Sequence, residues 1–163
     1  MDRIKSFQID HEKLEPGLYV SRVDSYDGCK VVTYDLRFTR PNREIAISQE
    51  AAHTIEHLGA TFLRGEPEWK DKIAYFGPMG CETGFYLLLV GEYQKSEDEP
   101  TNELVCSLVI DMCQFIIDYD GDIPGASSKE CGNFRLHNLK AAKARTKKYL
   151  KDLLTNKHFQ YPS

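Results

Sequence analysis

His53 and His57 stand four residues apart with Glu56 between them, in the run His53-Thr54-Ile55-Glu56-His57. On a helix such residues lie one above the other, so both imidazoles can reach one ion while the glutamate flanks it as a general base. Metal sites usually complete their shell with side chains from distant parts of the chain. Cys131, ahead of Gly132 in a polar stretch, has no apolar periodicity to claim it for a core and is the better candidate for a third ligand. Two imidazoles and a thiolate suit zinc, iron or cobalt. A second reactive group is Cys81, delivered by the run Gly77-Pro78-Met79-Gly80-Cys81 just ahead of the apolar residues Phe85 to Val90. A thiol there is placed for chemistry, although a free cysteine is more often a small buried hydrophobe.

A helix from about Ser48 to Arg64 must carry the histidines. At roughly 100° per residue, Ala51, Ile55, Leu58 and Phe62 form its apolar stripe and both histidines point to nearly the opposite side. They are not core histidines, which leaves metal binding or a solvated face. Ser48 suits the N-cap and Gly65 the C-terminal stop. Gly59 inside the helix costs about 1 kcal/mol against alanine, which predicts close packing against it.

Leu18 to Val23 and Val31 to Phe38 are expected strands joined around the turn dipeptide Asp27-Gly28. In the second, Val32, Tyr34, Leu36 and Phe38 alternate with Val31, Thr33, Asp35 and Arg37, so Arg37 is expected on the more polar face in a surface ion pair. Phe85 to Val90 reads as a central strand buried on both faces. Pro100 to Tyr119 is a core-covering helix with Leu104, Val105, Leu108, Val109, Met112, Phe115, Ile116 and Tyr119 on one stripe, and Cys106 and Cys113 go to packing. A last amphipathic helix, about Asn138 to Leu154, turns Leu139, Ala142, Leu150 and Leu153 inward and its lysines outward.

With 163 residues, one domain over 1–163 is the simplest organisation, and a 41% hydrophobic, 28% charged composition is ordinary for a globular protein. The net charge of -4 argues against a general nucleic-acid binder. Met1 to His11 holds no apolar signal region and no run reaches membrane-spanning length, so a cytosolic protein is expected. Five cysteines at irregular spacings fit reduced thiols better than a disulfide framework.

Taken together, His53 to His57, the run Gly77-Pro78-Met79-Gly80-Cys81-Glu82-Thr83-Gly84-Phe85-Tyr86 and Glu130-Cys131-Gly132 resemble the S-ribosylhomocysteine lyase family, LuxS. The likeness extends through Ser6-Phe7, Asp10-His11, Asp35-Leu36-Arg37-Phe38, Pro41-Asn42 and Leu136-His137. It implies an α+β fold, a small antiparallel sheet covered by helices as an α/β sandwich, in a homodimer with active sites at the subunit interface. It also implies cleavage of S-ribosylhomocysteine to homocysteine and 4,5-dihydroxy-2,3-pentanedione, the autoinducer-2 precursor. Carried onto this chain, His53, His57 and Cys131 would bind one divalent metal per subunit. Ferrous iron is the family metal, with zinc or cobalt able to replace it. Glu56 and Cys81 would move protons, and Ser6, His11 and Arg37 would contact substrate. Where several family members carry an acidic residue ahead of the cysteine loop, this chain has Ala74-Tyr75-Phe76.

The residue types suit that chemistry. Breaking a thioether without redox requires a carbonyl to migrate along the sugar, by enolisations that need a Lewis acid and paired proton carriers, before β-elimination. Two other readings share the histidine motif. An inverted zinc peptidase would need a downstream glutamate ligand and leaves Cys81 unexplained. A structural zinc domain would close the site with a fourth protein ligand.

Overall fold

Alternating side chains and one tight turn make the first hairpin in the computed structural model, which describes residues 9–91, 99–155 and 159–162. Strands β1 (Gly17–Tyr26) and β2 (Cys29–Arg37) pair antiparallel, from Gly17 opposite Arg37 to Tyr26 opposite Cys29. Between them Asp27 and Gly28 both take positive φ, 47° and 85°, a turn whose twist matches that of the strands. β3 (Ile73–Pro78) and β4 (Gly84–Gly91) complete an antiparallel sheet in the order β1-β2-β4-β3. Helices α1 (Gln49–Gly65), α2 (Glu99–Asp118) and α3 (Leu139–Thr155) accompany it. The chain is thus α+β, with a small four-stranded antiparallel sheet and three helices among the described residues. No strand is expected from the sequence over β3, whose last residues, Gly77-Pro78, open the glycine-punctuated run ahead of Cys81. As an edge strand it tolerates Pro78, since the missing N–H falls at its end.

Strand register sorts the side chains onto two faces. Leu18, Leu36 and Phe85 share one row, and Val20, Tyr34, Leu87 and Phe76 the next. These belong to the core or pack against it, together with Ile55 and Leu58 of α1, Val109 and Met112 of α2, and Tyr149 and Leu153 of α3. Each fully buried large apolar side chain contributes about 1.5–3 kcal/mol, which is how the helices are held to the sheet. Gly59 touches the Phe76 ring so closely that no Cβ fits there, the close approach its position predicts. Tyr149 stacks on Phe38 with ring centroids 4.0 Å apart and donates its O–H to Gly17 O at 3.1 Å.

Three expectations change. β4 is central, but of Phe85 to Val90 only Phe85, Leu87 and Leu89 are buried, while Tyr86, Leu88 and Val90 on the other face are half-buried, because the core lies on one side. Arg37 is 2% exposed and Asp35 0%, so their ion pair is internal rather than on the surface. Leu104 is 60% exposed, since it sits about 100° round the helix from the centre of the stripe that buries Val105, Leu108, Val109, Met112 and Ile116. Cys106 and Cys113 are fully buried, as packing requires.

Candidate metal centre and thiol site

α1 starts where Ser48 accepts a hydrogen bond from Ala51 N at 3.4 Å, and it buries Ala51, Ile55 and Leu58. The opposite side therefore presents His53 and His57, whose rings meet edge-on at 87° with centroids 4.6 Å apart. Two loops orient them. His53 Nδ1 donates to Leu136 O at 2.8 Å, and His57 Nδ1 donates to Pro124 O at 2.7 Å. A carbonyl only accepts, so each Nδ1 carries the proton and each Nε2 keeps its lone pair for an ion.

Cys131 arrives on a turn closed by Cys131 N to Ser127 O at 3.0 Å, and its Sγ lies 3.4 Å from His53 Nε2. The Asn133 N–H points at the same sulfur from 3.4 Å. A fourth donor, His137, lies flat against His53 with centroids 4.1 Å apart and planes 19° from parallel. Its Nδ1 faces Thr54 Oγ1 at 3.2 Å; since the Thr54 proton goes to Glu50 O at 2.7 Å, that hydroxyl can only accept here. His137 Nε2 is buried and has no hydrogen-bond partner among the described residues. Burial, then the neighbouring His53 and His57, push its pKa below the ordinary histidine value.

The donor atoms of His53, His57, Cys131 and His137 all lie within 4.8 Å of one another, so the group could hold a metal ion. Three imidazole lone pairs and a thiolate suit a first-row divalent metal, and the orphaned His137 nitrogen is what a place for a cation explains. His137 did not stand out as a ligand in the sequence, where it falls just before the N-cap of α3. Only tertiary structure carries it to His53, 84 residues away in the chain. An open cleft of about 520 Å³ reaches the group, lined by Glu56, His53, His57, Cys131, Phe76 and Glu130 among others. Glu56 is thus brought beside the candidate ligands.

Cys81, Arg37 and His11 are not among the residues lining that cleft. They form a second group. Cys81 is exposed in the turn between β3 and β4, which Met79 N to Gly84 O at 2.9 Å closes, and so it is no core residue. Its Sγ lies 3.1 Å from Thr83 Oγ1 and 4.0 Å from Arg37 Nη1. Burial alone would raise its pKa, but the Thr83 hydrogen bonds and the Arg37 guanidinium outweigh it and hold the thiol below its ordinary value. Arg37 Nη1 also donates to Thr83 Oγ1, while Nη2 pairs with Asp35 Oδ2 at 2.6 Å. Burial pushes the Asp35 carboxyl up, with Arg37 and Tyr161 opposing it. His11 is half-buried, with Nδ1 2.9 Å from Ile9 O, and its charge reaches Asp35. Ser6 lies outside the described residues.

The S-ribosylhomocysteinase (LuxS) family matches residues 4–160 of this chain. Among curated proteins, an S-ribosylhomocysteine lyase of Phocaeicola vulgatus is 48% identical over 100% of this chain and 99% of its own. One of Desulfotalea psychrophila is 46% identical over the whole of both. One of Finegoldia magna is 50% identical over 92% of this chain and 90% of its own.

Proposed function

Because the chain belongs to the S-ribosylhomocysteinase (LuxS) family, we propose that its two groups of side chains are the two halves of one lyase site. The protein is a carbon-sulfur lyase that cleaves S-ribosylhomocysteine to homocysteine and 4,5-dihydroxy-2,3-pentanedione. The observation that carries the site assignment is the convergence of His53, His57 and Cys131 on one cleft beside Glu56.

Those three side chains would hold the divalent ion, which the family resemblance makes ferrous iron; the donor set also suits zinc and cobalt, and by intrinsic affinity it binds both more tightly than iron. When bound, the ion supplies a Lewis acid for the carbonyl and hydroxyl oxygens of the sugar. Glu56 takes a proton from one carbon and returns it to the next, and Cys81, as thiolate, serves the neighbouring carbon from the other side. Two such shifts move the carbonyl until the carbon beside the sulfur-bearing one becomes acidic. Loss of that proton expels homocysteine thiolate, which picks up a proton, so the reaction balances without an oxidant. Arg37, held by Asp35, contacts substrate together with His11 and Ser6.

Within one chain Cys81 and Arg37 lie outside the lining of the metal cleft, and in our reading a homodimer unites the two groups. The sheet face away from the core supports this reading: it carries Tyr86, Leu88 and Val90 half-buried and Tyr75 46% exposed, a surface suited to a second copy. No helix among the described residues is long and apolar enough to cross a membrane, and we place the reaction in the cytosol, where the thiols stay reduced.

Anaerobic release of thiol from S-ribosylhomocysteine by the iron-loaded protein tests the assignment, run beside Glu56→Ala and Cys81→Ala. Both variants should retain metal and lose activity. Undiminished activity in either removes that residue from the chemistry. His137 as a fourth donor favours one rival, a structural metal site; there, stripping the metal would unfold the domain, whereas the lyase keeps its fold. A peptidase is disfavoured because the ligand group contains no carboxylate.

A further inference from the structure

The family match ends at residue 160, and the next side chain makes contacts that the reading above does not use. Tyr161 donates its O–H to Asp35 Oδ2 at 2.8 Å, the same oxygen that receives Arg37 Nη2 at 2.6 Å. Its ring stacks on Tyr19 with centroids 5.0 Å apart and planes 14° from parallel. Two residues earlier, Phe159 O accepts from Val20 N at 3.0 Å, and Phe159 packs against the core. This docking falls where the β1–β2 register shifts between Val20 and Arg22, and the intervening Ser21 hydrogen-bonds Tyr161. A bulge on an edge strand thus receives the C-terminal segment.

We propose that Tyr161 is a positioning residue for the Arg37–Cys81 pair: its hydroxyl anchors Asp35, which fixes the guanidinium lying beside the thiol. The chain of contacts runs from Tyr161 through Asp35, Arg37 and Thr83 to Cys81, and each link is a side-chain contact of 4.0 Å or less. Asp35 Oδ1 has no partner among the described residues, so Oδ2 carries the whole attachment of a fully buried carboxylate. Removing one of its two donors loosens the other. Burial and the Asp35 charge keep the Tyr161 proton on its oxygen, so the hydroxyl remains a donor across the working pH range.

The inference rests on the reading of Cys81 as a proton carrier, but its test does not need turnover. In the metal-loaded full chain, the pH dependence of Cys81 alkylation by iodoacetamide is followed by residue-resolved mass spectrometry. The titratable and charged groups around the thiol are Arg37 and Asp35 of β2, Tyr86 of β4, Glu82 beside it in the turn, and His11 facing Asp35. Tyr161→Phe keeps the ring on Tyr19 and deletes only the hydroxyl. We expect the alkylation midpoint to rise by roughly half a pH unit, about threefold less thiolate at a fixed pH below it. A chain ending at Gln160 should show the same rise, which separates the hydroxyl's role from any defect of the phenylalanine variant. A midpoint unchanged or lowered in the folded Tyr161→Phe protein overturns the proposal. If Cys81→Ala remains active, the proton-carrier reading fails whatever Tyr161→Phe shows.

Discussion

His137 lies flat on His53 and is turned there by Thr54, a residue of the same helix as the two histidines of the motif. Thr54 Oγ1 also accepts the N–H of Asn138, the residue whose side chain caps α3 by accepting from Ala141 N at 2.9 Å. One hydroxyl therefore ties α1, the start of α3 and the floor of the candidate metal centre together.

Thr54→Val keeps the shape and removes that hydroxyl. It leaves the Asn138 N–H and His137 Nδ1–H without their acceptor, and an unsatisfied buried donor costs about 1–3 kcal/mol. Urea unfolding of the metal-free variant should show that loss. Because outer partners of a site tune its affinity, zinc binding measured by competition with a chromophoric chelator should weaken about 10–100-fold. Wild-type stability and affinity together would mean that the hydroxyl holds neither α3 nor the site.

The thiol makes a prediction with a definite sign. Cys81 is held below its ordinary pKa, so its thiolate appears at lower pH than that of an unperturbed cysteine, and alkylation should rise earlier along the pH axis. Thr83→Val deletes the hydroxyl 3.1 Å from Sγ and should move the midpoint upward, toward the ordinary value. A midpoint in wild type no lower than that of a cysteine-containing peptide would show that Thr83 and Arg37 do not stabilise the thiolate.

What the sequence made legible divides along physical lines. The histidine helix could be read because a 3.6-residue period is local: Ala51, Ile55 and Leu58 point one way, and so His53 and His57 must point the other. Cys131 could be proposed by its lack of periodicity, and the structure does bring it to 3.4 Å from His53 Nε2. His137 could not be picked out, since its place depends on how α3 packs against α1. The burial of Arg37 is illegible for a similar reason. Alternation along β2 assigns it correctly to the face away from the core, but not the Tyr19 and Tyr161 rings that help enclose its partner Asp35. β3 is illegible because an edge strand of six residues with a glycine and a proline has no pattern of its own.

Gly59 tests how tightly the histidine helix is seated on the sheet. By propensity alone, Gly59→Ala should stabilise α1 by about 1 kcal/mol. The new methyl would overlap the Phe76 ring, which is itself 4% exposed and stacked on Phe85 with centroids 5.3 Å apart, so it cannot move freely. Overpacking a core typically costs about 1–3 kcal/mol, and we expect a net loss of stability. Paired with Phe76→Leu, the alanine should become less harmful, because the double change relieves the overlap. A stabilised Gly59→Ala single variant would show that Phe76 yields at little cost.

The composite site makes the sharpest demand. If Glu56 and the metal ligands act from one copy and Cys81 from the other, two dead variants can complement each other. Co-refolding Glu56→Ala with Cys81→Ala makes about half the dimers mixed, and each mixed dimer has one site with both intact residues and one with neither. Thiol release should recover to about one quarter of the wild-type value, while each variant refolded alone stays inactive. The recovery should require exchange of subunits, so mixing the two variants after assembly should give less than refolding them together. Should the co-refolded mixture form dimers yet stay inactive, Cys81 and Glu56 belong to the same copy, and the sheet face carrying Tyr86, Leu88 and Val90 needs another explanation for its exposure.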